Sequence, residues 1–128
     1  MTLLLDTQSF VWWVQSDPRL SAPARAAIAD SAAPLHVSLA TAWVIAIKVG
    51  KGKWPAAEPL LANFETILAE EAFELLPITV SDVRAAGLMQ VPHRDPFDRL
   101  IVAQAALRNL RLVTSDAKLA DLGVEVVW

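Results

Sequence analysis

This chain places an acid directly behind a run of leucines: Met1-Thr2-Leu3-Leu4-Leu5 is followed by Asp6, the first charge in the sequence. Such a run predicts a short central strand, and a central strand tolerates a charge only at an end where something uses it. The device recurs at Leu110-Arg111-Leu112-Val113-Thr114, which leads into Ser115-Asp116. Between the two, His93-Arg94-Asp95-Pro96-Phe97-Asp98-Arg99 opens a helix with two more carboxylates. Asp6, Asp95, Asp98 and Asp116 are therefore predicted at strand and helix ends. Four acids so placed can converge on one hard metal ion.

The rest of the chain alternates between the two kinds of element. Strands are predicted at residues 3–5, 35–37, 73–76, 110–114 and 124–127. Ser21-Ala22-Pro23 starts a helix with a cap and an early proline, and Ser38, Thr79 and Asp95 stand as further caps. The spacing of Leu60, Leu61, Phe64, Ile67 and Leu68 predicts one helix over residues 60–71. Strands that alternate with helices predict an α/β three-layer sandwich with a mainly parallel sheet, in a single domain over residues 1–128. In such sheets ligands bind beyond the carboxyl ends of the strands, where Asp6 and Asp116 are expected.

Composition narrows the chemistry. A net charge of -3 leaves any nucleic-acid contact to a local basic patch such as Lys48, Lys51 and Lys53. The absence of cysteine removes thiolate sites and disulfides and fits a reducing cytoplasm. No uncharged apolar run approaches the ~20 residues of a membrane span. Met1–Leu5 has no basic n-region, so it is not expected to be a signal peptide.

Each candidate also has a structural reading. Asp95 before Pro96 is a good N-cap, Asp98 at the third helical position favours the helix dipole, and Asp116 caps the next short helix. Asp6 has the weakest such alternative. Thr7, Ser38 and Thr114 stand beside the acids, where they either cap helices or support a site. Lys48, Arg94 and Arg99 are candidates for phosphate contacts, against a reading as solvated surface. His93 is a candidate proton carrier but is read as polar surface, and His36 is read as structural. The five tryptophans are assigned mostly to core or interface.

The segments Leu4-Leu5-Asp6-Thr7, Trp12-Trp13, Val37-Ser38, Ala42 to Lys48, His93 to Ala105 and Leu112 to Asp116 resemble a PIN-domain ribonuclease, most closely a VapC-type toxin of a toxin–antitoxin system. The Arg-Asp-Pro-Phe-Asp-Arg block is the most specific part. The resemblance implies a Mg²⁺- or Mn²⁺-dependent endoribonuclease acting on tRNA, rRNA or mRNA, inhibited by a small antitoxin and commonly homodimeric. It implies metal-holding roles for Asp6, Asp98 and Asp116, with Asp95 as a neighbouring acid.

One departure matters. The family usually reads Trp-Glu-Ile-Ala-Ile-Lys, whereas this chain has Trp43-Val44-Ile45-Ala46-Ile47-Lys48. Valine offers no oxygen to a cation, so impaired activity is expected. Either Val44 is natural, or it is a detoxifying change reachable through one base, which is the preferred explanation. The alternative function is a non-catalytic protein of the same fold that binds RNA or sequesters an antitoxin. A phosphotransfer enzyme with Asp6 as nucleophile is disfavoured, because Gln8 stands where a second acid belongs.

Overall fold

The computed structural model describes residues 2–91 and 95–128. The leucine run forms β1 (Leu3–Leu5), buried along its whole length. Asp6 stops it and caps α1 (Thr7–Val14) by accepting a hydrogen bond from the Ser9 amide. Ser21 caps α2 (Ala22–Ala29) with proline in the first turn. After β2 (His36–Ser38), Ser38 caps α3 (Leu39–Gly50).

A 3-10 turn at Pro55–Ala57 leads into α4 (Glu58–Ala62) and α5 (Phe64–Glu71). The single helix expected over residues 60–71 is thus two. The break falls at Asn63, whose backbone leaves helical geometry and whose side-chain amide donates to the Pro59 carbonyl at 2.9 Å. Asparagine favours such local bonds over helix continuation. Next come β3 (Glu74–Leu76) and α6 (Val80–Gly87), the latter opened by a Thr79–Asp82 capping box. Helix α7 (Pro96–Leu107) follows Asp95, and β4 (Arg111–Val113), α8 (Ala117–Ala120) and β5 (Val126–Val127) complete the chain.

The five strands are all parallel, in the order β3-β2-β1-β4-β5. Alternation along them separates two cores. Leu3, Leu5 and Val113 face a layer that includes Phe10, Ile28, Ile45 and Phe64, from α1, α2, α3 and α5. Leu4 and Leu112 face the other layer, with Ala86, Ile101 and Leu119 from α6, α7 and α8. This is the three-layer α/β arrangement expected, with a sheet that is parallel throughout. Among the described residues no helix is long and apolar enough to cross a membrane.

The strand order fixes where a ligand can sit. The chain winds outward from β1 through β2 to β3, then crosses back to β4 on the other side of β1. Connections leaving β1 and β4 therefore depart to opposite faces and open a crevice above their carboxyl ends. Backbone bonding continues past the strands there, with the Asp6 amide donating to the Val113 carbonyl at 3.1 Å.

Candidate functional site

A cleft of about 310 Å³ lies over that crevice, and Asp6, Thr7, Val44, Lys48, Asp95 and Asp98 are among the residues lining it. Asp6 forms its floor. One carboxylate oxygen accepts from the Ser9 amide at 2.8 Å, and the Thr114 hydroxyl also bonds the carboxylate. Burial pushes the Asp6 carboxyl above its ordinary value of 3.8; the Thr114 and Ser9 bonds oppose that rise, and the charge of Asp98 adds to it.

Asp98 and Asp95 arrive on the start of α7. Asp95 caps the helix, one carboxylate oxygen accepting from the Phe97 amide at 2.9 Å and the Asp98 amide at 3.3 Å. The capping role and the cleft position therefore coexist in one side chain. On the opposite wall Val44 and Lys48, one turn apart on α3, face the same space. The Lys48 ammonium lies 5.2 Å from the centroid of the Trp54 ring.

Asp116 is not among the residues lining the cleft, and its carboxylate caps α8 by accepting from the Lys118 amide at 3.0 Å. Thr114 connects the two places: its fully buried hydroxyl accepts from the Asp116 amide at 3.1 Å while bonding the Asp6 carboxylate. Thr7 bonds Thr41 at 3.2 Å on the α3 side of the cleft.

Other sequence candidates lie elsewhere. Arg99 donates to the Met89 carbonyl at 2.6 Å and lines a neighbouring apolar groove with Trp43, Val83 and Phe97, not the acidic cleft. His93 and Arg94 lie outside the described residues. His36 sits 3.7 Å from Glu74 across β2 and β3. Trp12 meets Trp128 at a tilt of 51°, Trp13 donates to Glu71, and Trp43 meets Phe97 edge-on at 5.0 Å.

Ser38 is buried below the cleft wall, where it accepts from the Ala40 amide and donates to Gln104. Gln104, Asp82 and Arg108 form a buried polar network with it that sequence reasoning missed. The Thr79-to-Asp82 spacing was the one visible signal. Arg108 grips both Asp82 oxygens, at 2.7 and 3.0 Å. Burial alone would raise the Asp82 pKa, but Arg108, the Thr79 amide and Gln104 outweigh it and hold the carboxyl below its ordinary 3.8.

Among the described residues no group of three or more acids or histidines is arranged to hold a metal. Three carboxylates, Asp6, Asp95 and Asp98, line the cleft, and a hydrated Mg²⁺ or Mn²⁺ is often held by only one or two, with water and substrate oxygens completing the shell. Burial is the main cause of the raised Asp6 pKa, and the charge of Asp98 is the smallest contribution. The donor set thus fits a hydrated divalent ion held by one or two of these carboxylates, to which Val44, with only methyl groups, adds no ligand.

A family model described as the PIN domain matches residues 3–125 of the chain. No curated protein matches it significantly. Among solved structures, the chain is similar to a chain of VapBC2 from Rickettsia felis bound to a promoter DNA fragment, with a TM-score of 0.70 and 16% identity over 98% of this chain and 97% of that one. It is similar to a chain of DNA-bound VapBC from Salmonella typhimurium, with a TM-score of 0.70 and 19% identity over 98% and 96%. A toxin–antitoxin complex from Klebsiella pneumoniae gives a TM-score of 0.66 and 22% identity over 98% and 96%. At these identities the likeness establishes the fold.

Proposed function

The chain belongs to the PIN domain family, and from that premise we propose that it is the toxin of a toxin–antitoxin pair, a metal-dependent endoribonuclease of VapC type acting in the cytoplasm. The carrying observation is the pairing of Asp6 with Asp98 in one cleft at the carboxyl edge of a parallel sheet, with burial pushing Asp6 upward. Lys48, on the cleft wall, lies over Trp54.

Asp6 and Asp98 would hold a Mg²⁺ or Mn²⁺ ion, with Asp95 beside them and Asp116 coupled through Thr114. When bound, the ion supplies charge stabilisation for a phosphodiester and a water of lowered pKa. The chain's residues do the positioning. Thr114 and the Ser9 amide orient the Asp6 carboxylate. The Asp95 cap fixes the first turn of α7 and with it Asp98. Lys48 offers a point charge to an RNA phosphate entering the cleft.

The chain is proposed to pair with a cognate antitoxin, in keeping with the VapBC complexes among its structural relatives. It is further proposed to form a homodimer through the apolar face where Trp43 and Val83 line one groove, with Leu39 and Val80 one turn away on the same helices. The test of the activity is direct. Purified Val44→Glu protein should cleave RNA in Mn²⁺, and adding Asp6→Asn should abolish cleavage. Cleavage indifferent to both changes would refute the assignment. Val44 itself favours a second reading, a non-catalytic PIN protein that sequesters an antitoxin or binds RNA. That reading prevails if Val44→Glu stays inactive while the chain still binds its partner.

A further inference from the structure

Three buried polar side chains lie under the cleft wall, and their bonding runs in one direction. Ser38, Gln104 and Asp82 are each fully buried. The Gln104 amide nitrogen donates to the Pro77 carbonyl at 3.2 Å and to an Asp82 oxygen at 3.3 Å. Both partners only accept, since Arg108 keeps Asp82 ionised. The amide therefore has one possible orientation, with its oxygen toward Ser38. That oxygen accepts a hydrogen bond from the Ser38 hydroxyl at 2.5 Å. The Ser38 lone pairs are then left for the Ala40 amide, which is the N-cap bond of α3.

Helix α3 leaves Ser38 and runs along α7 to the edge-on contact of Trp43 with Phe97, then presents Val44 and Lys48 to the cleft. Ten residues separate Ser38 from Lys48, a lever of about 15 Å at about 1.5 Å per residue. A tilt of about 10° at its base would move the Lys48 end by about 2–3 Å on that lever. A cleft that must hold an ion between opposite walls does not tolerate such play.

We propose that Gln104 is a positioning residue for this cleft: bonded to Asp82 and Pro77 on one side and Ser38 on the other, it sets the angle of α3 over α7. It thereby sets the separation of position 44 and Lys48 from Asp98. The consequence for metal rests on the nuclease reading above; the consequence for helix geometry does not.

The chain has no cysteine, so a nitroxide pair can be placed at Lys51→Cys beyond α3 and at Leu107→Cys on α7, both exposed sites. Gln104→Met keeps the volume and removes the amide. The interspin distance in metal-free protein should shift or broaden by about 2–3 Å, the displacement worked from the lever. Ser38→Ala should do the same, and Ser38→Thr, which keeps the hydroxyl, should restore the parent distribution. If Gln104→Met does not fold, the two Ser38 variants carry the test. A distribution unchanged in Gln104→Met or in Ser38→Ala overturns the proposal. In a Val44→Glu background, Gln104→Met should weaken Mn²⁺ binding by about 10–100-fold, the range for groups that orient ligands; unchanged affinity also overturns it. Val44→Glu protein with Gln104 intact that binds no Mn²⁺ would instead overturn the nuclease reading, and the distance measurement then decides the positioning role alone.

Discussion

Replacing Val44 by glutamate adds a fourth carboxylate to a cleft already lined by Asp6, Asp95 and Asp98. Val44 lines the cleft with Asp6 and Asp98, and Asp6 is already pushed up by burial and by its neighbour. Two unit charges about 6 Å apart repel by about 3 kcal/mol at an effective dielectric of about 20. Unfolding entropy near 2.1 cal/mol/K per residue gives about 0.27 kcal/mol/K for a chain of this size, so 1 kcal/mol corresponds to about 4 °C. Metal-free Val44→Glu should thus melt about 10 °C below the parent at neutral pH. Mn²⁺ at a hundredfold excess over its Kd should return about 2.7 kcal/mol, again about 10 °C. The parent, with valine at position 44, should show a much smaller shift at the same concentration. The assay is a thermal melt of both proteins across a Mn²⁺ series, with Ca²⁺-free buffer and a chelator control. Equal Mn²⁺ shifts in the two proteins would refute the reasoning, because position 44 would then contribute nothing to the ion.

Asp6→Asn should raise the melting temperature of the metal-free protein at pH 7, since it removes a buried charge held against its preference. With a folded pKa raised above 3.8, the Asp6 contribution is fully present below that value and is lost as pH rises through the folded pKa; carboxyl titration followed by NMR, with a midpoint at or below 3.8, would contradict this. Asp82 behaves oppositely: its contribution is present above 3.8 and disappears as pH falls through a lower folded value, which acid titration in Arg108-intact protein should reveal. Arg108→Ala leaves Asp82 buried without its partner and should cost about 3–5 kcal/mol in urea unfolding, whereas a loss under 1 kcal/mol would show that water replaces the guanidinium. Val83→Glu, at a position 56% exposed on the apolar face, should reduce the sedimenting species to a monomer with little change in melting temperature; an unaltered sedimentation profile places any dimer contact elsewhere.

Much of this arrangement is legible in the chain because it is local. The leucine run and its terminal acid predict β1 and the position of Asp6, and caps at Ser21, Ser38, Thr79 and Asp95 act within three residues of themselves. Alternating strands and helices announce a parallel α/β sheet. The break at Asn63 was hidden because apolar spacing continues across it, while the side chain that ends α4 bonds backward to Pro59. Arg99 follows Asp98 in sequence, yet neighbouring positions on a helix diverge by about 100°, so it turns to Met89 and the apolar groove.

The sequence by itself settled which residues carry charge at element ends, and therefore that Asp6 and Asp98 had to be explained. It also settled that position 44 lacks an oxygen. Only the tertiary structure decided which of those ends meet. The order β3-β2-β1-β4-β5 brings the ends of β1 and β4 together, gathers Asp6 and Asp98 into one cleft and leaves Asp116 capping α8, with Thr114 linking it to Asp6. It also brings Asp82, Gln104 and Ser38 into a single buried network from three separate stretches of chain. Caps and periodicity act over a few bonds, whereas convergence depends on strand order and helix tilt, which are set by packing summed over the whole core.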